Sequence, residues 1–289
     1  MTDTLEGAAG INDEEATLVE RAKEGDRAAF ETLLRRHQPW VYNIALRMTG
    51  DPVAAEDITQ ECLIKVVTRL STFRGTSRLR TWLYRIVANH VINMKRRPRE
   101  RVFASFDHHA DILDGMTDHE PSTEELRTAE ELKVSCLMGM LLCLDREERF
   151  VFIIGGIFGV SDAMGSEILE TSRAAYRQKL SRARRQLLGF MNGRCGLLDP
   201  ANPCRCPKKT RAAIRAGYID PENLEFDRDY VAKVTSFVRA AQERMTDDSI
   251  AMCQSLFLET PFQEPPDLTG QITKLMESEN FARLMNFRC

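Results

Sequence analysis

Apolar residues recur at three- and four-residue intervals along most of the chain, and no stretch alternates with the period of two that a half-buried strand requires. Asp51-Pro52 opens one such pattern, with Asp as N-cap and Pro in the first helical position. Ile58, Cys62, Leu63, Val66 and Leu70 then share one side of a helix, while Glu56, Asp57, Gln60 and Glu61 fall largely on the other. A turn-like FRGTS follows, and after it a helix whose apolar stripe includes Trp82, Ile86 and Val87, running to Arg97-Pro98. Farther on, Ser172 caps a helix with Tyr176, Leu180, Ala183 and Leu187 as its buried stripe, and a shorter helix over about 162–169 precedes it. Amphipathic helices are also expected at roughly 210–217, 228–246 and 268–285. The pattern predicts an all-α protein.

Charge divides these helices into four segments. Residues 15–99 are helical and end in a basic belt. Residues 100–128 read as a flexible acidic linker, because 107–125 carries seven acids and no Lys or Arg, with Gly115 and Pro121. Residues 129–191 are helical again. The helix after Ser172 carries Arg173, Arg177, Lys179, Arg182, Arg184 and Arg185 with no acid among them, and two short helices with a tight connection describe a helix-turn-helix. Residues 192–289 form a helical C-terminal extension whose 13 basic and 14 acidic residues nearly cancel.

The basic belt is local, since the whole chain has a net charge of −3 and a pI near 6.0. Residues 73–101 hold Arg and Lys against a single acid, Glu100, interleaved with Phe73, Trp82 and Tyr84. That combination lets a surface grip a nucleic-acid backbone while stacking on exposed bases. The polar, acidic N-terminus does not read as a signal peptide, and the longest apolar run, 150–160, is about half a membrane span. A cytoplasmic location without membrane insertion is expected, and with it reduced thiols rather than disulfides for the eight Cys.

Two basic helical modules joined by an acidic linker resemble the extracytoplasmic-function type of sigma factor of the sigma-70 family. AFETLLRRHQPWVYNIALRMTGDPVAAEDITQE is similar to the first half of region 2, FRGTSRLRTWLYRIVANHVINMKRR to its promoter-melting half, and VSDAMGSEILETSRAAYRQKLSRARRQL to the region 4 helix-turn-helix. The resemblance covers about residues 15–191. It implies binding to core RNA polymerase through the β′ clamp and the β flap, with Asp57, Gln60 and Glu61 on the clamp-facing helix. It implies recognition and melting of the minus-10 element by region 2. There Asn89 can read a base edge, Arg74, Arg78, Arg80, Arg85, Lys95 and Arg96 can meet phosphates, and Trp82 is placed either to stack on a base or to pack in the core. In region 4 it implies minus-35 reading by Arg173, Arg177 and Gln178, with Lys179, Arg182 and Arg185 on phosphate. An anti-sigma protein is a further implied partner, the acidic linker would thread toward the polymerase channel, and the extension would be regulatory.

Three departures stand out. Asn93 occupies a position where many relatives carry Asp. Glu170 occupies the turn position often held by Gly, and Ile154-Gly155-Gly156-Ile157-Phe158-Gly159 replaces an expected charged helix, which points to an additional packing partner such as the extension.

The extension opens with Cys195, Cys204 and Cys206 in a C-x8-C-x-C spacing. Three readings stay open: zinc ligands lacking an identified fourth member (Cys253, Cys289 or a distant His), redox thiols made acidic by Arg205, Lys208 and Lys209, or thiols that merely pack. No cofactor is required by the resemblance. Cys62, Cys136 and Cys143 lie on apolar stripes and read as core, and a metal role for His108 or His109 is not favoured. An alternative is a stand-alone helix-turn-helix regulator of duplex DNA, which leaves the aromatic-basic module unexplained. An enzyme would need a carboxylate cluster or an activated nucleophile, and the acids here lie in the linker or on one helix face without such partners.

Overall fold

The computed structural model describes residues 13–226, 248–258, 260 and 262–276. Among them the regular elements are all helical, and one isolated bridge pairs Cys195 with Cys204. The N-terminal helices are α1 (Asp13–Lys23), α2 (Arg27–Thr49), α3 (Pro52–Arg69) and α4 (Leu79–Asn93). Next come α5 (Pro98–Val102), α6 (Phe106–Gly115), α7 (Thr123–Cys143) and α8 (Arg146–Val151), the last continuing as a π-helical turn over Phe152–Ile157. Then follow α9 (Asp162–Ile168), α10 (Arg173–Met191), α11 (Cys206–Arg215), α12 (Asp248–Leu258) and α13 (Leu268–Met276). The helix expected at 228–246 lies outside the described residues, and α12 was not anticipated.

Local chemistry sets the helix starts. Asp51 accepts hydrogen bonds from the Val53 and Ala54 amides, with Pro52 at the first helical position. Ser172 accepts from the Ala175 amide at 3.1 Å. Each cap satisfies donors the helix itself leaves unpaired. The expected apolar stripe of α3, Ile58, Cys62, Leu63, Val66 and Leu70, is buried throughout.

One apolar core runs through all the segments: Ile44, Leu46 and Met48 of α2, Val87 and Val91 of α4, Met138 and Leu141 of α7, Phe150, Ile153, Tyr176 and Leu187, and Phe257 of α12. A second cluster joins α1–α4 to Leu268 and Ile272 of α13. The extension therefore packs on both preceding modules.

The glycine-rich departure now has its reason. A Cβ on Gly155 would stand 2.5 Å from the Tyr176 hydroxyl, and one on Gly165 would stand 2.3 Å from the Tyr176 ring. The two glycines form the notch that seats this fully buried tyrosine. On the other side the π turn meets the extension, as anticipated: Phe152 packs edge-on against Phe257 at 5.3 Å, and Gln254 donates to the Gly156 carbonyl at 2.6 Å. Glu170 has φ of 50°, so the turn is made in the left-handed region by a residue that carries a Cβ.

The 100–128 connection departs from the expected flexible acidic linker. It holds α5 and α6, buries Glu100, His109, Leu113 and Met116, and pairs its acids with bases of the extension. Arg194 meets Asp114 at 2.6 Å, Lys209 meets Asp118 at 2.9 Å, Lys208 meets Glu120 at 3.5 Å and Arg211 meets Glu125 at 2.7 Å. Four of the linker's acids are thus paired with bases too distant in sequence for a composition window to register.

Candidate nucleic-acid interface

The loop before α4 and the end of α4 present Arg74, Arg78, Asn89, Lys95 and Arg96 to solvent. Arg80 and Arg85 are half-buried, and Arg80 lies over the Tyr84 ring at 5.8 Å. Trp82 is also half-buried, tilted against Phe73 at 5.5 Å at the edge of the α1–α4 cluster, so its indole packs with the core. Arg85 turns toward α9, donating to the Glu167 carbonyl at 3.1 and 3.0 Å and lying 3.5 Å from the Glu167 carboxylate. Asn93 donates to the Asn89 carbonyl at 2.9 Å, closing the helix end.

On α10 the buried stripe of Tyr176, Ala183 and Leu187 is as expected, and Leu180 packs against it half-buried. Arg173, Gln178 and Arg185 are exposed. Arg177 is exposed and 3.3 Å from Asp162. Two residues expected to be free for phosphate are engaged instead: Lys179 pairs with Glu147, and Arg182 pairs with Glu148 at 3.1 Å. The acids sit on α8, outside the acid-free stretch that made this helix look uniformly basic. Glu148 is buried and also accepts from Gln186 at 2.7 Å.

On α3, Asp57 and Glu61 are exposed and Gln60 half-exposed along one face. Glu61 approaches His90 at 3.4 Å, and Asp57 approaches Arg97 at 3.9 Å. Burial and the neighbouring Lys65 lower the His90 pKa, so this imidazole is neutral at pH 7 and its contact with Glu61 is a hydrogen-bond-range approach rather than an ion pair.

Sequence reading missed the polar groups that hold the modules to each other. Glu100, the lone acid of the basic belt, is buried and accepts from Arg146 at 2.9 Å and from Arg149 at 2.9 Å. Arg149 also donates to carbonyls of Met48 (2.5 Å), Leu142 (2.8 Å) and Leu144 (3.1 Å). Arg47, fully buried, donates to the Thr260 carbonyl at 3.2 Å and faces the Phe262 ring at 4.0 Å. Burial alone pulls its pKa down to about 9, which leaves it charged at pH 7. No periodicity distinguishes such an arginine from a solvated one.

Cys195, Cys204 and Cys206 lie together in the loop that leads into α11. Of the three readings, the redox one needs acidic thiols, and Cys204 and Cys206 are not acidified. Burial, with neighbouring thiols adding to it, raises Cys204 and pushes Cys206 up to about 12. The three expected bases are occupied elsewhere: Lys208 and Lys209 with the linker acids, and Arg205 on the Asn202, Pro200 and Cys204 carbonyls. Cys62 is core, as expected. Cys136 packs half-buried against two apolar clusters, as expected, and it and Cys143 flank the buried His109 with sulfur–nitrogen distances of 3.8 and 3.7 Å. No helix among the described residues is long and apolar enough to cross a membrane.

Residues 33–101 match the family model described as Sigma-70 region 2, a span that covers α3, α4 and most of α2. The chain is 35% identical over 111 residues to the RNA polymerase sigma-H factor of Pseudomonas aeruginosa, an alignment covering 37% of this chain and 55% of that protein. It is 29% identical over 173 residues to the ECF RNA polymerase sigma-E factor of Escherichia coli, covering 58% of this chain and 88% of that one. A solved structure of CnrH in complex with the cytosolic domain of CnrY aligns over 62% of this chain and 98% of its own, at 23% identity and a TM-score of 0.46, a likeness too loose to add to the assignment. With the region 2 match on the basic helical module and a capped helix-turn-helix after it, the chain carries a Sigma-70 region 2 and is similar beyond it to sigma factors of the extracytoplasmic-function type.

Proposed function

We propose that this chain directs promoter-specific initiation by core RNA polymerase, with region 2 reading and melting the minus-10 element and region 4 reading the minus-35 element. The observation that carries this is the exposed basic face of Arg74, Arg78, Asn89, Lys95 and Arg96 on the module that matches Sigma-70 region 2, followed in the same chain by a helix-turn-helix with exposed Arg173 and Gln178. The α3 face of Asp57, Gln60 and Glu61 would dock on the β′ clamp, and region 4 on the β flap. The protein would do no covalent chemistry of its own and would act in the cytoplasm, where polymerase and DNA are. It supplies binding energy for base extrusion while polymerase catalyses.

The two promoter elements lie on the order of 80 Å apart along B-DNA at 3.4 Å per base pair. Region 2 helix α4 and helix-turn-helix α9 are in contact here through Arg85 and Glu167. Binding both elements therefore requires the modules to part. The extension opposes that parting, because α12 packs on α10 and the π turn while α13 packs on α2 and α3. Regulation by the extension follows: whatever releases α12 and α13 frees the modules. An anti-sigma protein is a further partner that would act on the same equilibrium.

Run-off transcription with purified core polymerase on a set of promoter fragments tests the function. Promoter-dependent transcripts are expected. An Ile272→Glu variant, which detaches α13 from α2 and α3, is expected to give more transcript than the unaltered chain. Absence of both core binding and transcripts from either form would overturn the reading.

A further inference from the structure

We propose that α2 carries a peptide-docking site built from Gln38, Tyr42, Asn43 and Arg47, and that residues 260 and 262–269 of the extension are its resident, exchangeable occupant. A polypeptide segment of a partner can take the resident's place when it offers the same features: an irregular backbone, an aromatic residue followed by an amide, and prolines after them.

Residues 262–266 have no regular secondary structure, so their backbone groups must find partners outside the segment. Side chains of α2 supply them, in antiparallel order. Arg47 donates to the Thr260 carbonyl at 3.2 Å. Asn43 donates to the Gln263 carbonyl at 2.9 Å and accepts from the Gln263 amide at 2.9 Å. Gln38 repeats the arrangement, donating to the Pro266 carbonyl at 2.6 Å and accepting from the Thr269 amide at 2.9 Å. Two side-chain amides thus do what a neighbouring strand does for a peptide added to a sheet edge. In that mode main-chain bonds hold the peptide and side-chain pockets select its sequence.

The selecting contacts are at Phe262 and Gln263. The Arg47 guanidinium faces the Phe262 ring at 4.0 Å, and Phe158 meets the same ring edge-on at 5.3 Å. Gln263 accepts from the Tyr42 hydroxyl at 3.1 Å and donates to the Glu225 carbonyl. Phe158 follows the π turn of the second module, so Phe262 is lodged between the two modules. Pro265 and Pro266 restrict the segment's backbone, which lowers the entropy lost on docking.

The chemistry of the site is that of a surface meant to be both covered and uncovered. Gln38, Tyr42, Asn43 and Arg47 are buried beneath the segment, whereas α2 turns Ile44, Leu46 and Met48 toward the permanent core. When the segment leaves, the polar side chains hydrate. Each bond lost to protein is replaced by one to water, at small net cost. Uncovering an apolar face has no such compensation.

Peptide exchange needs no polymerase, so its failure and a failure of the transcription reading are told apart. The probe is a dye-labelled synthetic peptide of residues 260–272, titrated into the full-length chain and followed by fluorescence anisotropy. The unaltered protein is expected to bind it weakly, because the resident competes at an effective concentration on the order of millimolar. The full-length Phe262→Ala/Gln263→Ala variant, its resident weakened, is expected to bind the peptide at least about tenfold more tightly. Adding Asn43→Ala to that variant removes two backbone bonds and should weaken binding by about tenfold or more. No binding by the weakened variant overturns the proposal, as does binding that Asn43→Ala leaves unchanged. Should the weakened variant not fold, amide exchange in the unaltered chain decides. Opening of the Gln263 and Thr269 amides ahead of the α2 amides supports an exchangeable segment, and exchange at the α2 rate overturns it.

Discussion

Arg85 donates through both Nε and Nη2 to the backbone carbonyl of Glu167, at 3.1 and 3.0 Å. The residue sits in the middle of α4, on the module expected to face the minus-10 element, and its partner closes the first helix of the helix-turn-helix. Arg85→Ala is expected to remove about 1 kcal/mol of this contact. Amide exchange should then accelerate in α9 and remain unchanged in the α2–α3 core. Equal protection of α9 in both proteins would show that Arg85 does not hold the modules together.

Glu100 anchors a buried ionic cluster. Burial by itself would raise its pKa, but bonds from Arg146, the Arg97 amide and Arg149 together outweigh that and lower it. Removing the charge leaves two guanidinium groups, one almost fully buried, without their anion. Glu100→Gln is expected to cost about 3–5 kcal/mol in urea unfolding, the range for breaking a buried pair. A loss below about 1 kcal/mol would mean that the carbonyl partners of Arg149 suffice.

Tyr176 depends on two missing side chains. Gly165→Ala places a methyl 2.3 Å from its ring and is expected to destabilise by about 1–3 kcal/mol. Gly189→Ala, in α10 with nothing within 4 Å of the new carbon, should stabilise by about 0.5–1 kcal/mol through helix propensity. Thermal unfolding of the pair separates packing from backbone effects, and a loss of stability in Gly189→Ala would refute the latter.

Glu125 joins the linker to the extension. The Arg211 bond, then the Ser122 amide, hold its pKa down at about 2 against an ordinary 4.5. The folded pKa lies below the unfolded one, so the contribution to stability is complete above pH 4.5 and is lost as pH falls toward 2. Glu125→Gln should be less stable than the unaltered protein above pH 4.5, with the gap closing toward pH 2. A gap independent of pH would assign the effect to packing instead.

Promoter contacts divide into two kinds. Lys95→Ala should weaken binding of the polymerase holoenzyme to all promoters alike and reduce the salt slope by about one. Arg173→Ala should relax discrimination at one minus-35 position by about 1–3 kcal/mol with little change in the salt slope. Competition binding across base substitutions and salt concentrations reads both. Interchanged behaviour would reverse the assignment of base reader and phosphate contact.

Local chemistry was legible from the order of the residues alone. The Asp51 and Ser172 caps, the α3 and α10 stripes, the helix-turn-helix and the exposed basic positions follow from spacing and charge, since a helix's period and its cap depend on residues within one or two turns. The sequence also showed at Glu170 a turn without an easy left-handed residue; that Glu170 itself takes positive φ came from the structure.

Which charges the protein pairs within itself depends on how the helices pack. Lys179 and Arg182 look free in their own helix and meet Glu147 and Glu148 from another, and Lys208 and Arg211 meet a linker whose acids had suggested flexibility. Cys136 reads as core by periodicity and meets the apolar cluster of Ala213 and Ile219 only because α11 packs along α7. The burial of Arg47 against Thr260 and Phe262, likewise, joins residues more than two hundred positions apart. Helix periodicity fixes which face of a segment is apolar. Which other segment covers that face, and which charge is neutralised in covering it, depends on long-range packing to which a local pattern is blind.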